Sequence, residues 1–116
     1  MWAAFRSLSP YWPSLLEKVL AHQRLVAGLL PLLKHGRVIF SSSAGHAQAP
    51  AGGVDYKSVI KTTSGDGPGS NELNVWVDYG QSKWGDIALA KQLDKMNGPR
   101  AGGDLISVSV HPGEFA

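Results

Sequence analysis

The 116-residue sequence predicts an α/β fold: a helix followed by a right-handed parallel βαβ unit that carries a long loop insertion. Three observations lead there. Residues 14–33 repeat apolar side chains at helical spacing, residues 37–41 and 105–110 read as short buried strands, and a long helical stretch lies between the two strands. Two apolar strands joined through a helix pair in parallel, because the crossover returns the chain to the same end of the sheet, and such crossovers are right-handed.

Residues 1–13 hold two prolines and the bulky aromatics Trp2, Tyr11 and Trp12 without a sustained period, and read as an irregular lead-in. Ser14, an N-cap with Glu17 three residues on, opens a helix whose face runs Leu15, Leu16, Val19, Leu20, Leu25, Val26, Leu29, Leu30 and Leu33. Pro31 should bend or loosen its last turn. His35-Gly36 ends it, glycine being tolerant of the left-handed backbone found at helix termini.

Arg37-Val38-Ile39-Phe40-Ser41 then forms the first strand. Residues 44–70 are rich in glycine, alanine and proline, with Pro50-Ala51-Gly52-Gly53 and Gly65-Asp66-Gly67-Pro68-Gly69 as breakers and a short helix expected over 54–61. Excursions of that length in small domains are lids or mobile loops. The second helix starts at Asn71 or Asn74 and runs to Met96, with Ile87, Ala88, Leu89, Leu93 and Met96 as its apolar side chains and Asn97-Gly98-Pro99 as its stop. Leu105 to Val110 is the second strand, and His111-Pro112-Gly113 follows it.

Composition narrows the function classes. Eleven basic and nine acidic residues are scattered without a run of either sign, which gives no electrostatic case for nucleic acid. Cysteine is absent, so thiolate chemistry and disulfides are excluded. The longest oily run, residues 25–33, is about half a membrane span and is broken by Gly28 and Pro31, and the opening residues do not read as a secretory signal. A soluble, cytoplasmic protein is the expectation. The four histidines show no metal-ligand spacing, and no metal site is expected.

In a parallel sheet, ligands collect beyond the carboxyl ends of the strands. Ser42-Ser43 and His111-Pro112-Gly113 therefore share one edge, and the early turns of the second helix bring Tyr79 and Lys83 to it. Positions i and i+4 share a helix face. A phenol in water holds its proton to about pH 10, and a neighbouring ammonium favours the phenolate, so the pair can serve as one acid/base unit. On spacing alone Tyr79 and Lys83 would be an ordinary aromatic and a solvated cation, and the two serines a strand ending. Trp76 and Trp84 could line a pocket or pack against the loop.

Arg37-Val38-Ile39-Phe40-Ser41-Ser42-Ser43-Ala44-Gly45-His46, Tyr79-Gly80-Gln81-Ser82-Lys83 and Ser109-Val110-His111-Pro112-Gly113, in that order, resemble the catalytic and C-terminal motifs of the short-chain dehydrogenase/reductase family. The long insertion is similar to the retinol-dehydrogenase-like branch and its fungal members. The resemblance implies a partial Rossmann-like fold and oxidoreduction of an alcohol or carbonyl, a small molecule, with NAD or NADP as cofactor. It implies Tyr79 as acid/base, Lys83 as the cation beside it and a contact of the nicotinamide ribose, Ser43 as the residue that polarises the substrate oxygen, and Pro112 and Gly113 as backbone around the nicotinamide.

Three departures qualify that reading. The family's opening strand, glycine-rich turn and helix are not expected before residue 14, so residues 14–116 are expected to be a truncated catalytic segment and residues 1–13 foreign to the family. The sequence stops at Ala116, just after the Pro-Gly motif, where the family continues, which fits the same expectation. Lys18 stands where the family carries an asparagine. Two strands leave apolar surface uncovered, and the expectations are marginal stability, aggregation or reliance on a partner. The alternative to an enzyme is an interaction module that forms homo- or hetero-oligomers through exposed helices.

Overall fold

The computed structural model describes residues 19–56 and 72–113. The expected lead-in over 1–13, the Ser14 cap, Lys18 and residues 57–61 of the expected short helix lie outside the described residues. Helix α1, Ala21–Leu29, passes into a 3-10 turn, Leu30–Leu32, with Pro31 inside it. Proline lacks a backbone N–H, and at the first positions of the 3-10 turn no bond within that turn calls for one. Leu33 N–H donates to Leu30 O at 3.0 Å and Gly36 N–H to Leu33 O at 3.1 Å, which closes the helix. Gly36 does this without entering left-handed backbone, in contrast to the expectation for a helix-ending glycine.

Strand β1, Arg37–Ser41, pairs in parallel with β2, Ile106–Val110, in the register Arg37 with Ile106 through Ser41 with Val110. The ladder extends one step beyond each end: Ile106 N–H donates to Gly36 O at 3.1 Å and Ser42 N–H to Val110 O at 2.8 Å. Between them runs helix α2, Glu72–Asn97, 26 residues and about 39 Å long at 1.5 Å per residue. Gly98 and the 3-10 turn Pro99–Ala101 end it, and Gly102 takes the left-handed backbone that redirects the chain to β2.

The strand alternation decides what is core. Phe40 and Ser107 point inward and are buried, while Ile39, Ile106, Val108 and Val110 point outward. Phe40, Ala90, Leu93 and Leu105 form the buried cluster, with Val26, Leu30, Leu33, Val38 and Leu89 packed on it. Helices α1 and α2 thus share the inner face of the sheet. The described residues are mixed helix and strand around a two-stranded parallel sheet, compatible with part of an α/β fold, and no helix among them is long and apolar enough to cross a membrane.

On the outer face Ile39 is 62 % exposed, and on α1 Leu25 is 60 % exposed. Parallel sheets are ordinarily covered on both faces, and each square ångström of apolar surface left in water forgoes about 25 cal/mol. The isolated chain is therefore expected to self-associate, with a thermal midpoint that rises with protein concentration. A cooperative, concentration-independent melt of a species that sediments as a monomer would contradict this.

Candidate functional site

The site is built where β1 ends against α2. Ser42 is buried, and its hydroxyl donates to the Lys83 backbone carbonyl at 2.8 Å. In return the Lys83 ammonium donates to the Ser41 carbonyl at 2.8 Å. These two bonds, of opposite direction, tie one turn of α2 to the last residues of the strand. Ser42 therefore acts as the tie, and its neighbour Ser43 is the serine left at the rim.

Ser43 is extended and caps the 3-10 turn Ala44–Gln48, its Oγ accepting from Gly45 N–H at 3.1 Å. Two histidines hold the same turn. His46 Nδ1 lies 2.7 Å from the Ser43 carbonyl, which makes that nitrogen the donor. His111 Nδ1 accepts from Ala44 N–H at 3.3 Å, which joins the loop after β1 to the residue just past β2. His22 and His35 are exposed, and their Nδ1 atoms lie 3.9 Å from Asp86 and 3.0 Å from Asp104.

Gly45 brings the turn onto the tyrosine. A Cβ at this position would lie 2.7 Å from Tyr79 Cε1, 3.1 Å from Cδ1 and 3.4 Å from Ser43 Oγ. The bare backbone thus lets the turn lie against the Tyr79 ring, with Ser43 Oγ bonded to the same glycine. The Lys83 ammonium lies 5.7 Å from the centre of that ring, over its face. Ser43, Tyr79 and Lys83 come together. Pro112 and Gly113 follow β2 at the same edge of the sheet, both exposed, with Gly113 in left-handed backbone. Trp84 packs beneath Gly53, and Trp76 is exposed.

Two buried polar residues of the site were not foreseen. Asp86 is 2 % exposed, and its Oδ2 lies 3.8 Å from the Lys83 ammonium. Its i+3 spacing from Lys83 was a legible signal, since that offset also shares a helix face. Gln81, 1 % exposed, accepts from Asp55 N–H at 2.6 Å and donates to Asp78 Oδ1 at 3.3 Å. That role depends on where the loop returns, and nothing local announces it.

The arrangement offers a phenol, an alcohol and an ammonium at one sheet edge, a set suited to proton exchange at a substrate oxygen. Among the described residues no group of three side chains could hold a metal ion. An open groove of about 390 Å³, lined by Leu30, Leu33, Met96 and Leu105, lies instead beside the residues that lead into the strands. The chemistry-bearing side chains are not part of it.

Two variants test this geometry. Gly45→Ala is expected to lower stability by about 1–3 kcal/mol in urea denaturation, because the added methyl must displace the Tyr79 ring. Burial holds the Asp78 carboxyl above its ordinary 3.8, while the hydrogen bond from Gln81 pulls the other way. The folded state thus binds that proton more readily than the unfolded chain. Its stability contribution is complete below pH 3.8 and declines as pH rises toward the folded value. Asp78→Asn should raise the denaturation midpoint at pH 7, at matched protein concentration, and the advantage should vanish on acidification below that point.

Comparison with known proteins places the chain in context. It is 38 % identical over 83 residues, 68 % of its length, to the short-chain dehydrogenase/reductase drtF of Aspergillus calidoustus. The chain spans 24 % of that relative's length. No protein-family model and no solved structure matches it. The likeness to drtF supports the short-chain dehydrogenase/reductase family for this chain.

Proposed function

We propose that this chain carries the acid/base centre of an NAD(P)-dependent oxidoreductase acting on a small alcohol or carbonyl compound, of the retinol-dehydrogenase-like kind found in fungi, in a cytoplasmic setting. One observation carries the reading: the Gly45 backbone, bonded to Ser43 Oγ, lies against the ring of Tyr79, whose face lies under the Lys83 ammonium. The likeness to a short-chain dehydrogenase/reductase points the same way.

The residues present fit part of a nicotinamide site. A lysine ammonium has three N–H donors, and the Ser41 carbonyl takes one of those of Lys83, so others are available to a ribose hydroxyl. Gly113, in left-handed backbone without a side chain, lets a flat ring approach. A bound nicotinamide would accept or supply the hydride. In the oxidation direction, Ser43 Oγ holds the substrate oxygen and Tyr79 takes its hydroxyl proton; in the reduction direction Tyr79 returns a proton to the alkoxide oxygen. Lys83 compensates charge as it develops on the phenol oxygen.

The exposed apolar side chains of α1 and of the outer sheet face favour a second reading, a non-catalytic module that pairs with another chain. The two readings separate cleanly. On the first, NADH or NADPH quenches the fluorescence of the four tryptophans saturably, and Tyr79→Phe abolishes turnover while leaving the quenching intact. A stable, specific oligomer with no saturable quenching at millimolar cofactor would sink the first reading and favour the second.

A further inference from the structure

The stretch after β1 lies along α2, and residues 43–55 of it, an arch over that helix, are held there at successive points. Gly45 rests on Tyr79. At Gly80 an added Cβ would lie 2.7 Å from Ala49 N and 2.8 Å from the Gln48 carbonyl carbon. Gly53, at φ +90, sits so close to the Trp84 indole that any side chain there would occupy the ring. The last point is polar: Asp55 N–H donates to Gln81 Oε1 at 2.6 Å.

Gln81 is suited to hold that end. It is 1 % exposed, and a buried amide carries its full desolvation cost unless both ends are bonded. Both are: the oxygen accepts from Asp55, and the nitrogen donates to Asp78 at 3.3 Å. The Asp78 contact selects the amide orientation that turns oxygen toward the loop. Gln81 stands two residues after Tyr79, on a different side of the helix, so its amide meets the far end of the arch while Tyr79 meets the near end.

We propose that Gln81 is a positioning residue for Tyr79. Its buried amide locks the far end of the arch onto α2, and the locked arch keeps Gly45 seated on the tyrosine ring and Ser43 beside it. The site's wall is thereby rigid before a substrate arrives. The inference rests on the reading of Tyr79 as the acid/base group, and it adds a device outside the Ser-Tyr-Lys set.

The test uses the full chain labelled for nuclear magnetic resonance, with Gln81→Met, which nearly preserves volume and removes both hydrogen bonds. Amide exchange at Asp55 and Gly45 should accelerate by at least about tenfold while Val108 and Leu93 change by less than about twofold, the mark of local rather than global opening. The ring resonance of Tyr79, assigned through Tyr79→Phe, should shift and broaden. Gly53→Ala, which lifts the same segment without touching Gln81, should move the Tyr79 resonance in the same direction.

Uniform acceleration of all amides, or an unchanged Tyr79 resonance in Gln81→Met, would overturn the proposal. In an active wild type, Gln81→Met should lower kcat and leave the KM for cofactor unchanged. A wild type that binds no cofactor overturns the enzyme reading instead, and the exchange and resonance data still decide whether Gln81 locks the arch.

Discussion

The reciprocal tie between Lys83 and the end of β1 is the constraint from which the rest of the described structure follows. The Ser42 hydroxyl reaches the Lys83 carbonyl and the Lys83 ammonium reaches the Ser41 carbonyl, each at 2.8 Å. One bond fixes the height of the helix over the strand, and the other fixes the side chain along it. With both made, Tyr79, one turn earlier, must lie over the loop that follows Ser42. A charge-assisted bond to a carbonyl is stronger than a neutral one, so the ammonium serves structure as well as chemistry.

The buried carboxylate beside that ammonium gives the site its electrical character. Asp86 lies close to Lys83 and within reach of His22, so the cation works inside a paired set. Ionised groups taken out of water need such partners, because each alone costs several kcal/mol. The arrangement supports a site whose geometry is set before any ligand binds. General acid/base catalysis depends first on distance, so a geometry set in advance favours the function proposed for these residues.

The same economy that builds the site leaves the outer sheet face exposed among the described residues. Both helices lie on the inner face, where Phe40, Leu93 and Leu105 are buried, while Ile39 and Val108 face water across the sheet. The chain spans about a quarter of its Aspergillus relative, so the activity of a whole dehydrogenase remains a proposal for this chain, and covering that face is a task the described residues do not perform.

Much of this was legible in the residues themselves. Strand β1 was marked by β-branched and aromatic side chains, Pro31 marked the loosened helix end, and Asn97-Gly98-Pro99 marked the stop of α2, because each acts through its own backbone preferences. The Tyr79–Lys83 pair was legible because helical spacing alone puts i and i+4 together. Other features depend on contacts between distant parts of the chain. Which of two adjacent serines is buried, that Gly45 rather than a side chain meets Tyr79, and that Gln81 catches the backbone of Asp55 were decided when α2 lay down on the strand. Local propensity and spacing determined the elements and the candidate residues. Only the tertiary structure decided their roles, because a hydrogen bond or a steric limit between segments some 26 to 41 residues apart has no local signature.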